Sequence, residues 1–110
     1  MAYQFGDILL ATLTFSDGSG AKKRPVLVVH ERGDDDLLVV PVTSHPPRAA
    51  EDVTVKDWAA AGLRLPSTVR MAKLTTLATV TVIRTMGKLS AGDARTAREV
   101  LKRFFDSVLR

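Results

Sequence analysis

Two unbroken apolar runs, Pro25-Val26-Leu27-Val28-Val29 and Leu37-Leu38-Val39-Val40-Pro41-Val42, flank the short polar stretch His30-Glu31-Arg32-Gly33-Asp34-Asp35-Asp36. Neither run alternates, so each needs cover on both faces, as a central strand does. Gly33-Asp34 suits a two-residue hairpin turn with Gly at the first central position. The fold is therefore constrained to a sheet with this hairpin in its middle. The turn also sets a register. Arg32 is expected to face Asp35 and Glu31 to face Asp36, and the same count places Arg24 opposite Thr43, within about 5.5 Å at the backbone. A one-residue slip brings Ser44 there instead and reverses the face.

Arg24 ends the cationic triplet Lys22-Lys23-Arg24, after the Gly18-Ser19-Gly20 loop. Pro25 holds Arg24 extended and is tolerated at the first residue of a strand. A guanidinium at that lip can grip a phosphate with two parallel hydrogen bonds; the alternative is a solvated basic turn. Ser16 to Gly20 is not a Walker loop, which needs a Lys-Ser/Thr pair and a following helix. His45 shares the face of Thr43 if the strand continues, and could then move protons; otherwise it is a loop histidine stopped by Pro46-Pro47. His30 reads as surface. Asp34-Asp35-Asp36 lacks a spaced ligand set, so it reads as a solvated hairpin tip and no metal is expected.

The remaining elements follow from pattern. Asp7 to Phe15 is a strand, with Asp7 closing a turn on its own backbone. Pro46 to Asp52 is a loop and Val53-Thr54-Val55 a short edge strand. Asp57 to Ala61 forms a helical turn or two ended by Gly62, with Trp58 as a core plug rather than a base-stacking platform. Pro66 to Leu74 begins another strand, placing Val69, Met71 and Lys73 on one face and Arg70, Ala72 and Leu74 on the other. Arg70 and Lys73 either extend a cationic groove or sit as ordinary sheet-surface charges. Thr79 to Leu89 is the last long strand. Ser90-Ala91-Gly92-Asp93 is a capping box opening a helix to about Leu109. Its core stripe is expected at Ala94, Ala97, Leu101, Phe104 or Phe105, and Val108, with Arg95, Arg98, Lys102 and Arg103 solvated. Five or six short strands and one terminal helix give a mainly β (α+β) fold, a small, strongly bent barrel.

A chain of 110 residues points to one domain, 1–110, around one core. The formal charge of +4 and pI near 9.9 favour an anionic partner, nucleic acid first. Zero cysteines exclude disulfides and thiolate metal sites. No apolar run nears the roughly 20 residues of a membrane span, and the first residues lack the pattern of a secretory signal. The expected setting is the cytoplasm, with no membrane partner.

Several fragments in order carry a resemblance: Phe5-Gly6-Asp7-Ile8, Phe15 through Arg24-Pro25-Val26-Leu27-Val28, Val42-Thr43-Ser44, Asp57-Trp58 with Ala61-Gly62-Leu63, Pro66-Ser67 with Val69-Arg70, Lys73-Leu74, and Gly87-Lys88-Leu89-Ser90. Together they resemble the PemK/MazF family over nearly the whole chain. The resemblance implies an SH3-like β-barrel with a C-terminal helix. It also implies a toxin of a type II toxin–antitoxin system that cleaves single-stranded RNA without a metal or other cofactor. A homodimer is implied, neutralised by a disordered segment of a cognate antitoxin. By position Arg24 and Thr43 match the catalytic pair of the MazF branch. Arg70 matches the arginine of an Arg-x-Asp motif in the Kid/PemK branch, but Ala72 stands where that motif has Asp.

The implied reaction is attack of a ribose 2′-OH on the adjacent phosphorus. Arg24 and Thr43 are the catalytic candidates and His45 the candidate for proton transfer. Ser19, Gly20, Lys22, Lys23, Ser44, Arg70 and Lys73 are the candidates for RNA binding. Base preference is expected from the loops Ser16 to Lys23 and Pro46 to Asp52. Two rival classes are a non-cleaving toxin of the same barrel acting on DNA gyrase through the end of its helix, and an inactive RNA- or antitoxin-binding barrel. Against the first, the spacing of Phe104, Phe105 and Leu109 is expected to bury them in the core.

Overall fold

A computed structural model describes residues 2–14 and 20–110. Its elements are β1 (Asp7–Thr14), β2 (Ala21–Glu31), β3 (Asp36–Thr43), β4 (Asp52–Val55), β5 (Ser67–Arg70), β6 (Thr75–Ala78), β7 (Val82–Lys88) and α1 (Ala91–Val108). The seven strands form one antiparallel sheet in the order β4-β5-β3-β2-β1-β7, with β6 pairing β3 off that path. No ladder joins β4 to β7 among the described residues, so the mainly β fold with its terminal helix is an open sheet. Phe15, expected at the end of β1, and the loop Ser16 to Ser19 lie outside the described residues.

The β2–β3 hairpin is central because its two faces serve two cores. Leu27 and Val40 pack with Ile8, Val69, Met71 and the helix residues Ala97 and Val100. Val26, Val28 and Val39 pack with Leu9, Leu37 and Leu77 on the other side. Each such side chain contributes roughly 1.5–3 kcal/mol by leaving water, which is why neither run alternates. Trp58 lies half-buried against the first core, as its sequence context suggests.

The hairpin tip differs from the two-residue expectation. Glu31 pairs with Leu37 rather than Asp36, and the Arg32 amide donates to the Asp36 carbonyl at 3.2 Å rather than facing Asp35. The turn is Gly33-Asp34-Asp35, with positive φ at Gly33 (84°) and Asp35 (67°). Asp34 fixes this longer tip: its Oδ1 accepts from the Asp36 amide at 3.3 Å and its Oδ2 from Arg32 Nε at 3.2 Å. The Arg32 guanidinium holds the Asp34 carboxyl below its ordinary pKa. The register then shifts between Val28 and His30, a bulge that inserts Val29 into β2. The extra turn residue and the extra strand residue cancel. Beyond the bulge Val28 faces Val39 and Val26 faces Pro41, the pairs that a two-residue turn dictates.

β2 also begins earlier than expected, at Ala21, so Pro25 sits inside the strand, opposite Leu10 of β1. The Pro66–Leu74 segment is a strand only to Arg70; Met71–Lys73 is a 3₁₀ turn. The expected strand from Thr79 to Leu89 begins instead with a 3₁₀ turn at Thr79–Thr81 and is strand only as β7, while β6 ahead of it was not anticipated. Asp57 to Ala61 makes a single turn, the Ala61 amide donating to the Asp57 carbonyl at 3.1 Å, ended by Gly62 at φ 87°.

Ser90 caps α1, its hydroxyl accepting from the Asp93 amide at 3.2 Å. The reciprocal half of the capping box is absent. Asp93 is buried and instead accepts from the amides of Lys56 (3.2 Å) and Asp57 (2.9 Å), pinning that loop to the helix N-terminus. Ala94, Ala97 and Val100 are buried and Leu101 packs against the core. The stripe then leaves the sheet: Phe105, Val108 and Leu109 are 37%, 60% and 80% exposed, so the expected burial of the helix end is incorrect. Arg98 is exposed as expected, with its guanidinium over the Phe5 ring at 4.5 Å. Among the described residues no helix is long and apolar enough to cross a membrane.

Candidate functional site

The β2–β3 ladder stops at the Val26–Pro41 pair. Pro41 stands in that last pair and Pro25 would stand on the next rung, where it has no amide hydrogen to donate. On the side away from β2, β3 pairs with β6 through Asp36–Val39 and then with β5 through Val42 and Thr43. So β3 leaves β2 just as it joins β5, and a cleft of about 620 Å³ opens between the parted strands.

Arg24 and Thr43 both line that cleft, two residues beyond the last paired position on either strand. Strand alternation gives Arg24 the face of Val26 and Val28, and Thr43 the face of Val39 and Pro41. They are not ladder partners, because pairing has already ended. The Arg24 side chain is exposed, and Nη1 makes a 3.4 Å bond to the Lys23 carbonyl. Thr43 is half-buried; its Oγ1 accepts from the His45 amide at 3.2 Å. That bond bends the chain at the strand end, so His45 is not on a continuing strand. It nevertheless lines the cleft, as does Ser44.

Arg70 and Lys73 lie on the cleft wall together. The sequence put them on opposite faces of one strand, but the 3₁₀ turn at Met71–Lys73 brings positions three apart into eclipse. Lys22, Lys23 and Gly20 do not line it: Lys23 faces Thr12 and Lys22 faces Leu13 in β1, on an exposed stretch of β2. Ser19 lies outside the described residues.

Two cations were missed. Arg64 and Arg84 line the far side. Arg84 faces Leu10, which faces Pro25, so it lies two strands from β2. Counting to it requires the β1–β7 register, which two irregularities shift. Arg64 follows Gly62, whose backbone lies against Gly87, so its one signal was a basic residue after the Gly62-Leu63 turn. The wall thus carries five guanidinium or ammonium groups and, among the described residues, no carboxylate. Leu63, Leu65 and Met86 supply apolar surface between them. An open, cationic, partly apolar groove suits a flexible polyanion with hydrophobic faces, such as single-stranded nucleic acid.

A family model described as PemK-like, MazF-like toxin of type II toxin-antitoxin system matches residues 4–105. None of the curated proteins searched matches. Among solved structures, the Mycobacterium tuberculosis toxin MazF-mt6 is 28% identical with a TM-score of 0.74, over 91% of this chain and 96% of that one. An endoribonuclease in complex with its cognate antitoxin from Mycobacterial species is 18% identical (TM-score 0.72, 93% of each chain). A MazE-MazF structure from Deinococcus radiodurans is 16% identical (TM-score 0.76, 96% of this chain and 98% of that). The last two are likenesses of fold.

Proposed function

The chain belongs to the PemK-like, MazF-like toxin family of type II toxin–antitoxin systems, and from that premise we propose that it is a metal-independent, sequence-specific endoribonuclease acting on single-stranded mRNA. The observation that carries the reading is the cleft between the parted ends of β2 and β3, lined by Arg24 and Thr43. In the proposed reaction the ribose 2′-oxygen forms a bond to the adjacent phosphorus and the bond from phosphorus to the 5′-oxygen breaks. The products are a 2′,3′-cyclic phosphate and a 5′-OH. The nucleophile belongs to the substrate, so the protein's task is to neutralise charge on the pentacoordinate phosphorus. Arg24 does this with its guanidinium. Thr43 donates to a non-bridging oxygen, its own Oγ1 lone pair being taken by the His45 amide. His45 takes the 2′-OH proton and returns one to the leaving oxygen; an arginine, which stays charged near neutrality, is unsuited to either. Ser44, Arg70 and Lys73 hold flanking phosphates and riboses, and Lys22, Lys23, Ser19 and Gly20 extend the contact along β2 and its loop. A homodimer and a cognate antitoxin with a disordered inhibitory segment complete the proposed assembly, in the cytoplasm.

The test is incubation of the purified chain with a long single-stranded RNA in EDTA, followed by mapping of the new 5′ ends. Cuts at one recurring sequence, leaving 5′-OH ends, are expected. Intact RNA, or cutting only after a divalent ion is restored, overturns the reading. A second reading, a non-cleaving toxin acting on DNA gyrase, is favoured by the exposed Phe105, Val108 and Leu109 at the helix end. Trapped gyrase–DNA complexes with uncut RNA are its signature.

A further inference from the structure

Asp52 does not line the cleft, yet its carboxylate reaches it at one remove. It begins β4, directly opposite Arg70 of β5. Its side chain is only 5% exposed, and Oδ1 lies 3.8 Å from Arg70 Nε. Oδ2 accepts from the Arg48 amide at 2.8 Å and the Ala49 amide at 3.2 Å. One buried carboxylate therefore touches both the cleft arginine and the loop that leaves the cleft after His45. The Met71 amide adds a 3.3 Å bond to the Glu51 carbonyl, so the same loop also holds the 3₁₀ turn that carries Lys73. The separation is an ion pair rather than a hydrogen bond, and an arginine paired on its Nε side keeps its two terminal nitrogens for a second partner, in the fork geometry that suits a phosphate. The Arg70 side chain, 32% exposed on the cleft wall, is placed to use them.

We propose that Asp52 is a positioning residue, fixing the Arg70 guanidinium and the loop 46–51 in one arrangement so that phosphate contact at Arg70 depends on the seating of that loop. This rests on the reading of the cleft as an RNA site. It supplies from β4 the carboxylate that Ala72 leaves out beside Arg70. Without Asp52, Arg70 regains its freedom and two amides of the loop lose their acceptor.

The test is binding of a fluorescent single-stranded RNA of mixed sequence whose 2′-hydroxyls are methylated, measured over a salt series for the parent, Asp52→Asn, Arg70→Ala and the double variant. Asn keeps an oxygen for the Arg48 and Ala49 amides but removes the charge on Arg70. Asp52→Asn is expected to weaken binding about fivefold, the upper range for a partly exposed ion pair. It is expected to lower the salt slope by up to about 0.7, one phosphate contact, and to add nothing when Arg70 is already Ala. Its melting midpoint stays within a few degrees of the parent. On cleavable RNA its KM rises while kcat holds. Tighter binding by Asp52→Asn overturns the inference, because the carboxylate would then only subtract charge. Equal weakening with and without Arg70 overturns it too, since that marks a structural role. A parent that binds the methylated RNA but cuts no natural RNA overturns the endoribonuclease reading alone; a parent that cuts natural RNA while Asp52→Asn leaves its KM unchanged overturns the inference alone; a parent that neither binds the methylated RNA nor cuts natural RNA overturns both.

Discussion

Gly62 and Gly87 lie backbone to backbone, so close that a β-carbon on Gly62 would stand 2.1 Å from the Met86 carbonyl oxygen and one on Gly87 would stand 2.4 Å from the Ala61 oxygen. Neither obstacle is a side chain that can swing away. This contact docks the turn after Asp57 onto β7 and so places Leu63, Arg64 and Leu65 beside Met86 and Arg84 on the cleft wall.

Gly62→Ala is expected to cost about 3 kcal/mol or more, combining the clash with the strain of a left-handed backbone at φ 87°. A urea or thermal melt reads it directly. Gly92→Ala, in the first turn of α1 with open space around it, is the control and should be neutral or stabilising by up to about 1 kcal/mol.

Arg24→Ala is expected to reduce RNA cleavage by at least about 100-fold, the scale of a lost oxyanion-stabilising donor. The side chain is exposed and makes one long bond, so the melt should move by less than about 0.5 kcal/mol. Cleavage at the parental rate would remove Arg24 from the mechanism.

Asp93→Ala should destabilise more than Ser90→Ala. The serine supplies a helix cap worth about 1 kcal/mol. The aspartate is buried and satisfies two amides of another loop, and losing it leaves both without an acceptor, about 2–4 kcal/mol in all. Parallel denaturation of the two variants checks the order.

Leu109→Ser and Val108→Ser should leave both stability and RNA cleavage within experimental error, since these side chains are mostly in water. Loss of cell toxicity in either, with RNA cleavage intact, would support the gyrase reading.

Legibility in the sequence followed how local the cause was. The turn at Asp7 was readable because it is closed by its own side chain: the Gln4 amide donates to Asp7 Oδ2 at 3.0 Å. The Ser90 cap was readable for the same reason. The Asp93 link to Lys56 and Asp57 was not, because its partners are more than thirty residues away. Arg24 and Thr43 came out lining one cleft although the turn between them was misjudged. A wrong loop length and an unseen bulge at Val29 compensated, a coincidence that counting alone could not have revealed. Arg64 and Arg84 stayed hidden because their approach depends on the Gly62–Gly87 contact and on two register shifts in β7. The exposed helix end was misread because periodicity marks which side of a helix is apolar, not how far along it the sheet extends.

Pro25 and Pro41 have one more consequence. An aperture bordered by a strand position without an amide hydrogen needs no hinge to open it. Such a weapon has no safety catch of its own. Anything that silences it would have to fill or cover the gap, since the strands that border it are not paired across it.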